Sequence, residues 1–441
     1  MRISIRIIVS LVCIFLGVSE NNVLAQTKNL SLEEAMKVSL ANNFGIKISQ
    51  NDAHIAANNV SRGNAGLEPS LGLVSNLTPS TGYTNQEFST GTSVSKGSLG
   101  NVFSVGLQGN YIFYNGKRSL LEFDRLGELK NLADINVRLS IEQVVYDVMR
   151  SYYNIIRQQE LYDALKDQLN YYEERARLAQ SRLDIGSGNK LDVFQTQSDL
   201  QIQKTQLLRQ EQQIQIGKIQ LKQLMLLKDE FNYVITDSLR LKNYSLTELQ
   251  NNAKTNNIQN EILKHQTATA YIVSQQIEAQ KKPTISFNPG VFLGRNDNNA
   301  GLTLVNQNLT LSANINLTMP LYDGKNIQRQ INNSKIDLES YKLRKDQLEY
   351  NLIETVNLQY QYFNNAQAII KSEEENLKVA RQSIEIAMER FRLSRSTILE
   401  LNTFQQVFEN GISRLVAAKY DAKIAEIELL RLSGALKPVK N

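Results

Sequence analysis

Residues 308–322 read NLTLSANINLTMPLY and alternate without a break. Leu309, Leu311, Ala313, Ile315, Leu317, Met319 and Leu321 share one face. Asn308, Thr310, Ser312, Asn314, Asn316, Thr318 and Pro320 share the other. A strict period of two places one side of a strand in an apolar medium and the other in water. Strands of soluble domains usually run to about five or six residues. A strand crossing an outer membrane needs about 9–11, apolar outward and polar toward the lumen. The spacing therefore assigns Leu309, Leu311, Ile315 and Leu317 to lipid, and Thr310, Ser312, Asn314 and Asn316 to an aqueous lumen. Residues 103–113 show the same pattern, with Phe103, Val105, Leu107, Tyr111 and Phe113 set against Ser104, Gly106, Gln108 and Asn110.

Around these segments the composition is that of long helices. Gly (22) and Pro (6) are few in 441 residues, and Trp is absent. The net charge of +5 comes from interspersed charges, as on solvated helix faces, and points to no nucleic-acid partner. Residues 1–25 read as a signal peptide. Arg2 and Arg6 open it, an apolar run follows, and Val23-Leu24-Ala25 precedes the expected cut. Cys13, the one cysteine, falls inside this leader, so no disulfide or thiol chemistry is expected of the exported chain. No later segment is apolar for long enough to span a bilayer as a helix.

Taken in order, the chain repeats itself. A first repeat, residues 26–227, opens with an amphipathic helix over 30–66, capped by Ser31 and interrupted near Asn42-Asn43. Strands follow at 69–78 and 103–114, with the Ser-, Thr- and Gly-rich residues 79–100 read as a loop. A helical hairpin occupies 117–227: apolar spacing predicts one helix from about Ser119 to Leu183, on the order of 100 Å long at about 1.5 Å per residue. Gly186-Ser187-Gly188 breaks it, and a second helix returns from about Leu191. Residues 228–244 form an equatorial connector. The second repeat, 245–434, then offers strands at 283–294 and 304–322 and a helical hairpin at 324–434, before a tail at 435–441. Ser245-Leu246-Thr247-Glu248 echoes Ser31-Leu32-Glu33-Glu34, Pro283 echoes Pro69, and Tyr322-Asp323-Gly324-Lys325 echoes Tyr114-Asn115-Gly116-Lys117. Further on, Arg390, Leu393, Leu399 and Glu400 answer Arg182, Ile185, Leu191 and Asp192 at a constant offset of 208. This is a tandem duplication.

The duplication bears on assembly. Two strand pairs give four membrane-length strands, and a barrel closes with roughly eight or more. Open edges are not tolerated in lipid. A homotrimer supplying twelve strands is the natural solution. The fold class expected is mainly α with a membrane β-barrel: long coiled-coil helical hairpins in tandem repeat, continued as a helical tunnel.

With the repeat, the Pro-Leu-Tyr-Asp-Gly-Lys turn and the segment Arg182…Gly186…Leu191-Asp192-Val193, the chain resembles the TolC-like outer-membrane efflux proteins. The resemblance runs through everything after the leader. It implies a trimeric outer-membrane channel with its helices in the periplasm. Such a channel docks with a periplasmic adaptor and an inner-membrane efflux pump or ABC transporter, and it passes drugs, metals or proteins outward. It also makes residues 182–192 and 390–400 the periplasmic tip. The gate would then involve Arg182, Asp192, Arg390, Phe391, Arg395, Glu400 and Thr403. The adaptor would meet Ile185, Gly186 and Ser187 in one turn and Leu393, Ser394 and Arg395 in the other. The match has gaps. Family gates use a tyrosine and two aspartates where Phe391, Glu400 and Thr403 stand here, and the second tip has lost its glycine.

Other classes fit less well. A periplasmic adaptor would carry one helical hairpin between soluble β-domains and would need no membrane-length strands. His54 and His265 are not repeat mates and have no His or Cys partner at metal spacing, so they read as surface residues. No phosphate-binding glycine loop, Gly-x-Ser-x-Gly or zinc motif occurs. Neither an enzyme nor a cofactor is expected.

Overall fold

A computed structural model describes residues 28–227, 233–299 and 303–436. The expected signal peptide, the start of the expected connector and the end of the tail lie outside these residues. A two-residue strand, β1 (Lys28–Asn29), pairs in parallel with β4 (Tyr233–Val234). Helices α1 (Leu32–Asn42) and α2 (Phe44–Asn59) follow β1. Ser31 caps α1 through the Glu34 N–H, with Glu33 and Glu34 in the first turn where the helix dipole favours acid. Asn43 ends α1 and caps α2 by accepting from the Ile46 N–H.

Four long strands form one antiparallel sheet in the order β2-β3-β5-β6: β2 (Ser70–Phe88), β3 (Gly91–Tyr114), β5 (Thr284–Asn298) and β6 (Val305–Thr318). The register builds two faces. Leu73, Leu107, Val291 and Leu311 lie in one row across all four strands, and Ser75, Val105, Leu293 and Leu309 in another on the same side. Gly72, Gln108, Gly290 and Ser312 make a row on the opposite side. Directly paired residues of antiparallel strands point the same way, so the alternation along each strand becomes a continuous apolar face. Leu311 is 81% exposed and Ile315 71% exposed in the single chain, uncovered by the described residues.

Four strand limits differ from the sequence reading by several residues. Residues 79–100 are not a loop: β2 and β3 stay paired from Ser80↔Gly100 up to Phe88↔Gly91, with a bulge between Gly82 and Tyr83 that leaves Gly97 at φ +81°. This ribbon rises past the end of β5, whose pairing with β3 stops at Gly100↔Asn298. It is held by cross-strand backbone bonds and needs no lipid face, so hydropathy could not report it. β6 stops at Thr318, four residues short of the expected end, just before Pro320, which has no N–H to give a ladder. β5 runs four residues beyond 294, with its outer end paired to β6 as far as Asp297↔Val305.

The helices carry the duplication in their lengths. α3 (Arg118–Asp184) and α7 (Asn326–Arg392) have 67 residues each, and an offset of 208 carries one onto the other at both ends. α4 (Lys190–Met225) and α8 (Ile398–Leu432) return from them. Lys117 and Lys325 enter the long helices through matching left-handed conformations after Gly116 and Gly324. Short helices α5 (Leu246–Asn256) and α6 (Ile258–Ala279) repeat α1 and α2. Within the chain α3 packs along α4 and α8, α7 packs along α8, and α6 lies against both α3 and α7. The main core sits at the helical equator, where Val145, Val148, Tyr152 and Ile155 of α3 meet Leu221 and Met225 of α4 and Ile427 of α8. His265 of α6 is partly buried against the early part of α3, its Nδ1 2.6 Å from the Glu128 carboxylate, and does not stand free at the surface.

Candidate functional site at the helical tip

The two α-to-α turns close with the same backbone. In the first, Ser187 N–H donates to Arg182 C=O at 2.8 Å and Gly186 takes φ +75°. In the second, Arg395 N–H donates to Arg390 C=O at 2.8 Å, and Ser394 takes φ +57° in place of the glycine. Left-handed backbone costs a residue with a Cβ about 1–2 kcal/mol, so the second turn carries strain that the first does not. Asn189 caps α4 by accepting from the Asp192 N–H, and Thr397 caps α8 by accepting from the Glu400 N–H. Both acids therefore sit in a first turn, where the dipole favours them.

The side chains part company. Arg390 pairs with Glu400 of its own turn at 3.1 Å, and Ser396 donates to the same carboxylate at 2.8 Å. Arg182 forms no such pair within its turn. Its guanidinium lies over the Phe391 ring, 4.5 Å from the centroid, and donates to the Phe391 carbonyl at 3.5 Å, joining the first tip to the second. Phe391 is fully buried among Leu178, Ala179, Val193, Ala387 and Leu401 and acts as the core of the paired tips. The Thr403 hydroxyl donates to the Leu399 carbonyl one helical turn back, so it is engaged on its own helix. Ile185 and Leu393 are exposed apolar residues at the two turns, and Ser187, Ser394 and Arg395 are exposed beside them.

Two turns above lies a charged cluster that the sequence reading missed. Arg175, 1% exposed, extends from α3 and donates to Asp199 of α4 and to Asn402 and Gln405 of α8, the last at 2.9 Å. Its guanidinium also stacks on Tyr172, 4.8 Å from the ring centroid. Tyr172 donates in turn to Glu409 at 2.9 Å, and Gln405 donates to Glu409 at 3.2 Å. Burial pushes the Glu409 carboxyl and the Tyr172 phenol up from their ordinary values, and it holds the Arg175 guanidinium below its own. A buried ion set of this kind is costly to leave half made. It clamps α3 to α8 and so joins the two hairpins of one chain.

The sequence does hold a signal for this cluster, in the places where the repeats disagree. Arg175, Tyr172, Asp199 and Glu409 have as repeat mates Ser383, Ala380, Val407 and Gln201. The strand residues assigned to lipid and lumen fall on opposite faces of the sheet, as the register requires.

Among known proteins, the family described as outer membrane efflux protein matches residues 36–225 and 248–435, one match in each repeat. The chain is 21% identical over 424 residues to the outer membrane efflux protein BepC of Brucella suis biovar 1, covering 94% of this chain and 86% of that one. Its fold is similar to the outer membrane protein VceC of Vibrio cholerae, with a TM-score of 0.73 at 16% identity over 91% of this chain and 96% of that one. It is also similar to the open state of the Neisseria gonorrhoeae MtrE outer membrane channel, with a TM-score of 0.69 at 12% identity over 92% and 90%.

Proposed function

The chain belongs to the outer membrane efflux protein family, and from that premise we propose that three copies form one continuous duct gated at the helical tip. An outer-membrane channel of this family carries its helices in the periplasm and its strands in the membrane. The observation that carries the assembly is the open sheet: four strands with one continuous apolar face and two unpaired outer edges. Such edges cannot remain in lipid, and three copies joined β6 to β2 would remove them.

Partners follow from the tip. Ile185, Gly186 and Ser187, with Leu393, Ser394 and Arg395, offer exposed turns of small and apolar residues and one arginine to a periplasmic adaptor. Behind the adaptor stands an inner-membrane pump or transporter that loads drugs, metals or proteins into the duct. Asp192 and Glu400, brought near the axis three times each, would prefer cations passing the narrowest point. Arg390 ties Glu400 down in the closed form. The test is single-channel recording in planar bilayers. Asp192→Ala with Glu400→Ala should lower cation preference. Unchanged selectivity would return both residues to helix capping.

A further inference from the structure

The face of the sheet that turns away from lipid is uniform in its chemistry. Register puts Val74, Gly106, Phe292 and Thr310 in one row across the four strands, on the side opposite Leu311. Among the described residues, the positions of that face within 70–78, 102–110, 284–298 and 306–318 include no Asp, Glu, Lys, Arg or His. Serine, threonine, asparagine and glutamine supply most of its side chains, so the wall offers hydrogen bonds without charge. Arg295 and Asp297, the charged residues of β5, lie on the other side with Phe103 and Asn101.

One ring interrupts this polar surface. Phe292 pairs with Gly106 and follows Gly290 on its own strand, and a Cβ on either glycine would run into the ring. The ring therefore lies down against the wall over two bare stretches of backbone, with its other face toward the lumen. Covering glycines steadies a sheet, which accounts for one face of the ring and leaves the second without a partner. Thr310 is its pairing partner on β6. Asn308 lies across Gly294, whose Cβ would meet the Asn308 Oδ1, and its Nδ2 donates to the Thr310 hydroxyl at 2.9 Å. That amide is held beside the ring with a second N–H to give. Gln108 and Ser312 stand one row nearer the helices.

A flat aromatic face among neutral donors and acceptors fits a particular chemistry. The C–H face of a pyranose packs on the negative face of an aromatic ring, and its hydroxyls want uncharged partners. An organic cation also lies well on a ring, but this wall has no carboxylate to hold one. Resting on the three-copy duct proposed above, we infer that Phe292, Thr310 and Asn308 form a subsite on the barrel wall for an uncharged, polyhydroxylated cargo of the sugar class. Three copies present three such platforms at one height.

The chain has no Trp, so Phe292→Trp places a single indole on the platform and Leu311→Trp a single indole on the lipid face. Each variant is reconstituted in liposomes free of sugar detergents. Iodide should quench the first indole and spare the second. Maltohexaose should shift the emission of the first saturably and protect it from iodide. Adding Asn308→Ala should raise the half-saturating concentration about fivefold, the worth of one hydrogen bond. Calorimetry on the unsubstituted chain repeats the titration without a fluorophore. Phe292→Leu, which keeps an apolar cover over the glycines, should abolish the heat, and Phe292→Tyr should keep it. Heat that survives Phe292→Leu would overturn the inference, as would saturable binding of the planar cation ethidium without binding of maltohexaose. Iodide access at residue 292 with no sugar binding by either method would also overturn it and leave the duct standing. An indole shielded from iodide at residue 292 would remove the duct and the inference together.

Discussion

Arg182 and Arg390 occupy the same place in the two halves of the chain, at the last turn of a 67-residue helix, and they do different work. One reaches across to the aromatic core of the other hairpin, and the other is tied to a half-exposed carboxylate in its own turn. The backbones around them have stayed alike: the same turn bond, a left-handed residue at the same position, and a capped acid at the start of the returning helix. Duplication preserved what geometry demands and let the side chains diverge. Within the chain the two hairpins are held as one tight pair by the Arg175 cluster and by Arg182 on Phe391.

The largest expected effect comes from removing the tight element. Arg175→Met should cost the hairpin pair about 3 kcal/mol, because it removes a fully buried guanidinium from Asp199, Asn402 and Gln405 at once and leaves the partly buried Asp199 without its cation. Ser383→Ala, at the repeat mate, should stay within about 0.5 kcal/mol. Protease sensitivity and thermal melting of the helical part would report both, and equal costs would erase the distinction between the halves. At the other end of the molecule the contrast lies between two faces of one strand. Leu311→Arg should cost roughly 2–4 kcal/mol and reduce outer-membrane yield. Asn314→Arg should be tolerated, and equal loss from both would contradict the sidedness.

Exchanging the turn residues should give a smaller, opposed pair. Ser394→Gly relieves left-handed strain and should stabilise the second tip by about 1 kcal/mol, and Gly186→Ser should destabilise the first by a similar amount. Arg390→Ser removes a half-exposed ion pair worth about 0.2–1 kcal/mol. Its expected readout is a rise in single-channel conductance with little change in melting. The smallest effect is in pH. Burial raises the Glu409 carboxyl above its ordinary value, so the stability tied to its neutral form is complete below the ordinary glutamate range and is lost as pH rises through the raised value. Glu409→Gln should flatten that slope between mildly acid and neutral pH.

Much of this architecture was legible in the chain. The period of two at 308–318 and the echo of Tyr114-Asn115-Gly116-Lys117 in Tyr322-Asp323-Gly324-Lys325 suffice for the strands and the duplication, since both are local patterns imposed by lipid and turn geometry. The turns at Gly186 and Ser394 were visible for the same reason. Arg175 was not, because an arginine on a long helix reads as solvated until a partner more than 220 positions away covers it. The tall β2–β3 ribbon escaped because its strands are stabilised by each other and carry no hydropathy pattern. Phe391 was legible as the residue where a gate tyrosine belongs, but its place in the core emerges only from the packing of two hairpins.

Everything above depends on the number of chains that share one barrel. Native mass spectrometry of the full-length chain, exported, processed and extracted from outer membranes in mild detergent, measures that number without reference to any residue. The expected result is a single species of three chains that dissociates only on heating in denaturant. A stable, detergent-solubilised monomer with a complete barrel would contradict the account.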